Sequence, residues 1–200
     1  MPVPTGASAV AVNITLTGGT EPGFATAYPC GREAPLISNV NVAPGDADAS
    51  AGFVRVGEGS SICIHLNTDA DVIVDLTGTL QPSVGLMFVS AEPRRLLDTR
   101  SGVGGWTPVH GAGQTFDIGA APPGAGAVTG TLTLVTPISP SYVAASPCGT
   151  ATTTSSVNAD AGGVVANSVT VGVSGDGRLC LVARAAGHTV FDLTGWWVAS

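Results

Sequence analysis

VIVDLTG (residues 72–78) and TVFDLTG (189–195) read as two printings of one phrase, and a third Asp-Thr pair stands between them in RRLLDTRSG (94–102). An apolar run ending in Asp, Thr and Gly is also how an aspartic protease presents its catalytic carboxylate. The residues around the phrase separate a two-lobed acid hydrolase from a repeated structural module. A shift of 118 residues lays GASAVAVNITLTGGTEPGFATAYPCG (6–31) on GAGAVTGTLTLVTPISPSYVAASPCG (124–149) without a gap. With one residue deleted the register continues: SNVN (38–41) falls on SSVN (155–158), Cys63 on Cys180 and DLTG on DLTG. The chain therefore reads as two tandem internal repeats, each of roughly 78 residues, and two units of one fold are expected.

Within each copy the apolar period is two. Val10, Val12, Ile14 and Leu16 alternate with Ala11, Asn13 and Thr15, and Leu132 and Leu134 alternate with Thr131 and Thr133, the pattern of half-buried strands. Further strands are expected at 23–29, 36–42, 51–56, 61–66 and 72–77, with counterparts at 141–147, 153–159, 164–173, 178–184 and 188–194. The breaks carry turn residues, as in GGTEPG, APGD, NTDAD and SGDG. No stretch has a capped helical period. Short strands at this spacing predict an all-β fold of antiparallel β-sandwich or jelly-roll-like modules. The expected domains are repeat 1 at 1–80, a strand-containing lead-in at 81–120, and repeat 2 at 121–200. The lead-in is too apolar at Leu86 to Val89, Leu96, Leu97, Phe116 and Ile118 for a tether, so it is expected to add strands to a repeat, and the first copy can borrow from it.

Composition narrows the partners. Seven basic residues, all arginine, stand against fourteen acidic ones, a net charge of -7. No basic stripe exists to release counterions from a nucleic acid or an anionic lipid surface, so neither is expected as a partner. No apolar run reaches the ~20 residues of a membrane-spanning helix, so no membrane insertion is expected. MPVPTGAS at the N-terminus does not read as a signal peptide, so an export signal, if the protein is secreted, is expected outside this sequence. Cys30, Cys63, Cys148 and Cys180 form two similarly spaced pairs, one per copy and neither of CxxC type. They read as two disulfides within the copies, hence a secreted or cell-surface location; the alternative is four buried thiols.

From Phe88 onward the letters resemble a known family. FVSAEPRRLLDTRSGVG (88–104) is followed by GQT (113–115), PPGAGAV (122–128), PCG (147–149), SSVN (155–158), a Cys-Leu pair at 180 and 181, and DLTGWW (192–197). This series resembles a repeat module of large secreted proteins of actinobacteria, where it often stands beside peptidase or glycosidase domains. The resemblance covers 86–198 as one full copy and 3–80 as a second lacking the RLLDTR lead-in. It implies an extracellular, non-catalytic accessory or cell-surface role and no defined ligand.

The hydrolase reading needs two carboxylates sharing a proton, each in an Asp-Thr/Ser-Gly turn. Asp75 and Asp192 are followed by Leu76 and Leu193, which inserts a residue before the threonine and turns the side chain to the other face. Asp98 has Arg100 where the glycine belongs, and an adjacent cation lowers a carboxyl pKa. Structural roles are expected instead: Asp75 and Asp192 as turn locks at strand ends, accepting backbone N–H groups, and Asp98 in an ion-pair cluster with its arginines, among them Arg95 and Arg100. Strict alternation places Arg94, Leu96, Asp98 and Arg100 on one face and Arg95, Leu97 and Thr99 on the other.

The remaining candidates for recognition are few. Trp106, Trp196 and Trp197 offer indole faces for a sugar ring or a partner, with Arg100 as a polar companion. Adjacent Trp196 and Trp197 point to opposite faces, so at most one faces a core. Asp69 and Asp71 in NTDAD, like Asp46 and Asp48 in PGDADAS, are weak calcium candidates without a full EF-hand loop. His65, His110 and His188 have no metal-site spacing, Ser174 in GVSGDG reads as a turn, and no cofactor is expected. The expected function is a non-catalytic extracellular tandem-repeat module acting as surface, spacer or adhesion domain, not an enzyme. Its alternatives are a carbohydrate- or cell-wall-binding module using exposed tryptophan and, less favoured, an aspartic-type hydrolase. Partners are expected among cell-wall polysaccharide or neighbouring protein domains.

Overall fold

The alternating run at Val10 to Leu16 sits at the centre of its sheet, where branched side chains can pack on both neighbours. In the computed structural model, which describes residues 1–82, 84–106 and 112–199, this run is β1 (Ala9–Thr17). The chain continues through β2 (Gly23–Pro29), β3 (Val40–Val42), β4 (Asp48–Arg55), β5 (Ile62–Leu66) and β6 (Asp71–Leu80). β7 (Leu86–Asp98), β8 (Gln114–Gly119), β9 (Ala125–Val135) and β10 (Ser141–Pro147) come next. β11 (Val157–Ala159), β12 (Val164–Gly172), β13 (Arg178–Ala183) and β14 (His188–Ala199) complete the order. Every element among the described residues is a strand, and every ladder between them is antiparallel.

Two compact units result, Met1–Gly85 and Leu86–Ser200. Unit 1 has sheets ordered β4-β1-β6 and β3-β2-β5; unit 2 has β12-β9-β14-β7 and β11-β10-β13-β8. The stretch 81–120, set apart by its sequence, supplies β7 and β8, and both pair inside unit 2, on β14 and β13.

Each unit buries its own apolar core between two sheets. Val10, Val12, Ile14 and Leu16 of β1 pack with Ala25, Val40 and Ile62 of the facing sheet. In unit 2, Val128, Leu132 and Leu134 of β9 pack with Val143, Leu179 and Leu181, and this core also takes Leu97 from β7 and Phe116 and Ile118 from β8.

Two expectations change at strand edges. The runs 36–42 and 153–159 pair only over Val40–Val42 and Val157–Ala159. Just before each, a side chain takes the place of a ladder bond: Asn39 Oδ1 accepts from the Ala27 N–H at 2.7 Å and Ser156 Oγ from the Ala145 N–H at 3.0 Å. Thr26 donates its hydroxyl to the Ile37 carbonyl in the same region. The polar residues that look like a strand's solvated face thus satisfy backbone groups that a longer ladder would have used.

DLTG differs more. The glycines read as a turn, but β6 and β14 run through them as bulged strands: the register slips between Ala11 and Val12 opposite Thr77, and between Leu193 and Gly195. Glycine in a strand marks a bulge or a close approach. At Gly195 it is both, since a Cβ there would lie 2.5 Å from the Phe88 ring and 2.6 Å from the Val89 carbonyl. Asp75 and Asp192 accordingly lie inside strands, not at strand ends as turn locks.

The cysteines pair as Cys30–Cys63 and Cys148–Cys180, with Cα atoms 5.0 and 4.8 Å apart. Each bridge joins the end of one strand to its ladder partner, β2 to β5 and β10 to β13. Closing loops of 33 and 32 residues restricts the unfolded chain. Replacing Cys148 and Cys180 together by serine is expected to cost about 2–5 kcal/mol, read from urea unfolding. A loss below about 1 kcal/mol would mean that the sheets hold without the staple.

Candidate functional site

The RLLDTR stretch forms the end of β7 and the turn after it. Its geometry begins with a bulge: Leu97 faces Phe191 and Arg95 faces Asp192, so Leu96 has no opposite residue on β14. An extra residue breaks the two-residue period. It brings Arg95 to the same side as Asp98, correcting the strict alternation that put Arg94 there, while Leu97 drops fully into the core.

Asp98 is the centre of the cluster and only 3% exposed. Arg100 donates to it from Nε to Oδ1 at 2.9 Å, from Nη2 to Oδ2 at 2.8 Å, and from its backbone N–H to Oδ1 at 3.0 Å. Arg95 Nη1 adds a bond to Oδ2 at 2.9 Å. The same Arg95 then spans the ladder, with Nε on Asp192 Oδ1 at 2.8 Å and Nη2 on Oδ2 at 3.0 Å. This two-point geometry is the strong form of a guanidinium–carboxylate pair.

The backbone closes the same corner. Ser101 and Gly102 donate to the Asp98 carbonyl, and the Asp98 N–H donates to Val103. Thr99, fully buried, donates its N–H to the Thr189 carbonyl, and its hydroxyl oxygen accepts the Thr189 N–H at 3.0 Å. His188 Nδ1 lies 3.3 Å from that hydroxyl. Gly104 has φ +86°, and a Cβ there would stand 2.7 Å from the Leu96 carbonyl, so the turn needs glycine.

The electrostatics follow. Hydrogen bonds from the Arg100 side chain, with smaller help from its N–H and from Arg95, hold the Asp98 carboxyl well below the usual range against the opposing effect of burial. Bonding to Asp192 first, then to Asp98, raises Arg95; bonding to Asp98 raises Arg100. A carboxylate so stabilised in its charged form is a poor proton donor and a poor sharer of protons. Asp75 behaves differently: it is half-buried on β6, burial raises its pKa, and it forms no ion pair among the described residues.

The tryptophans are half-buried. Trp106 meets Phe116 edge-on at 5.3 Å and packs on the core of unit 2. Trp196 packs on that core too, while Trp197 points the other way, donating from Nε1 to Thr129 Oγ1 at 2.8 Å with its ring 5.2 Å from Phe88. Asp71 opens β6, and neither it nor Asp69 belongs to a group of three ligand side chains among the described residues. The group that does form, Asp117 with Cys148 and Cys180, has both sulfurs in a disulfide and so offers no thiolate. His110 lies outside the described residues.

Besides the Arg95–Asp192 pair, two contacts escaped the reading of the sequence. Arg178 Nε binds Asp117 Oδ1 at 2.6 Å across the β8–β13 ladder, and only the strand register brings them together. The Thr99–Thr189 exchange is likewise invisible without the pairing of the turn to β14.

No protein-family model matches this chain, and no curated protein matches it.

Asp98→Asn removes the charge from the centre of this cluster. The expected loss of stability is about 1–3 kcal/mol near neutral pH, in the lower part of that range because both guanidinium groups are over 40% exposed and screened. The carboxyl's folded pKa lies below the unfolded value of about 3.9, so its contribution is whole above that pH and drains away as the pH falls through it. Urea unfolding from about pH 7 down to about pH 3 should therefore show a shallower acid loss in Asp98→Asn than in the parent. Parallel curves would remove Asp98 from the stability of the fold.

Proposed function

We propose that this chain is a non-catalytic extracellular repeat module, working as surface, spacer or adhesion domain. The observation that carries this reading is how the most catalytic-looking carboxylate is used. Asp98 is held in its charged form by two arginines and a backbone N–H, while Asp192 takes both edges of Arg95. Such bonding fixes a strand corner and leaves no shared proton for acid hydrolysis. The two disulfides favour an oxidising, extracytoplasmic setting, and the resemblance to actinobacterial secreted repeats points the same way.

The placement of the tryptophans favours packing over sugar recognition. Trp106 is engaged with Phe116, Trp196 with the core, and Trp197 with Thr129 and Phe88. A stacking platform for a sugar ring needs a free face.

Tryptophan fluorescence during titration with bacterial wall polysaccharides and peptidoglycan tests this directly. No saturable shift is expected, and no proteolysis of an unfolded substrate at acid pH. A saturable shift abolished by Trp106→Ala or Trp197→Ala would install the carbohydrate-binding reading instead. Acid proteolysis abolished by Asp98→Asn would restore the hydrolase.

A further inference from the structure

β14 lies between β9 and β7 in its sheet. β6 occupies the same register in unit 1, since Asp75 faces Asn13 as Asp192 faces Thr131. Among the described residues β6 is paired on one side only, with β1. The open edge exposes what its counterpart hides: Ile73 is 51% exposed where Val190 is 2%, and Leu76 is 42% exposed where Leu193 is 0%. An unpaired apolar edge strand is a template for another strand, and natural edges are usually blunted by lysine, proline or inward charge. β6, DVIVDLTGTL, has no lysine and no proline.

Among the described residues the facing sheet is open in part as well, with β5 at its edge. Met1 and Ile62 exchange backbone hydrogen bonds at 2.6 and 3.0 Å, and the Val3 N–H bonds the Ser60 carbonyl at 2.9 Å. Within unit 2 the corresponding place on β13 is filled by β8 along its whole length, from Arg178 to Ala183.

Asp75 decides which strand fits. Its counterpart Asp192 is met by Arg95 of β7 through two bonds, whereas among the described residues Asp75 forms no ion pair, and it is already partly desolvated. Joining two copies edge to edge through β6 would bring carboxylates to one seam without a counter-charge, which disfavours a second copy as occupant. An incoming arginine supplies what the edge lacks.

We propose that the free edge of β6 accepts an arginine-bearing polypeptide strand built like β7, added antiparallel, with its arginine opposite Asp75 and a leucine opposite Val74. Main-chain bonds to the edge provide affinity, and the arginine and leucine provide selection, as in other recognition by strand addition. The site stands on an edge that the module reading above does not use, and it survives if that reading falls.

The test uses the full 200-residue chain and a synthetic peptide of residues 86–104, LMFVSAEPRRLLDTRSGVG. Calorimetric titration should give saturable one-to-one binding, and amide exchange should slow in β6 without changing in β14. Asp75→Asn in the chain, or glutamine for the peptide's arginine at position 95, should each weaken binding about tenfold, and the two together little further. The peptide variant leaves the protein untouched, so folding of the chain cannot confuse that arm. Absence of binding would overturn the site, as would an affinity indifferent to both changes. Protection appearing at β14 would also overturn it, because it would mean that the peptide replaces the chain's own β7. So would a β6-mediated dimer in sedimentation that the peptide fails to disperse.

Discussion

The bond from Arg95 to Asp192 joins β7 to β14, and much of unit 2 follows from that seam. Where β7 is docked, Leu97 enters the core, Thr99 exchanges hydrogen bonds with Thr189, and the Asp98 turn closes over the corner. The interaction is directional because a guanidinium presents two donors to two carboxylate oxygens in one plane. The bulge at Leu96 makes it possible, by letting one arginine reach a carboxylate across the ladder and another three residues along its own strand. Charge here locates a strand that hydrophobic pattern alone would leave free to slip.

Unit 1 has the same order of pairing around β1 and β2 as unit 2 has around β9 and β10, but among the described residues no strand stands in the place of β7. The consequences appear at identical register positions. Side chains buried in β14 are open in β6, and the carboxylate that is paired in β14 forms no ion pair in β6 among the described residues. The difference lies in supply of a strand, not in the sequence of the accepting edge, where DLTG stands in both.

The sequence made part of this legible. Alternation in Val10 to Leu16 and in Leu132 to Leu134 located the central strands, and the spacing of the cysteines located both bridges. Glycine was the main source of error. Gly78 and Gly195 suggested turns, but in a ladder glycine can mark a bulge or let a neighbouring strand approach, and the two cases look alike until the partner strand is known. The same blindness put Arg94 beside Asp98: a two-residue period holds only for a strand without an extra residue, and nothing local to RRLLDTR announces that Leu96 is extra. Asp98 and its arginines were readable as a cluster because they are neighbours in the chain, whereas the pairing of Arg95 with Asp192 and of Arg178 with Asp117 depends on register across the sheet.

A double-mutant cycle between Arg95→Gln and Asp192→Asn, read by urea unfolding of the full chain, measures whether this pair seats β7. A coupling on the order of 0.5–1 kcal/mol is expected, modest because both side chains are partly exposed, together with faster amide exchange along β7 in each single variant. Additive effects, with β7 protected as in the parent, would contradict it.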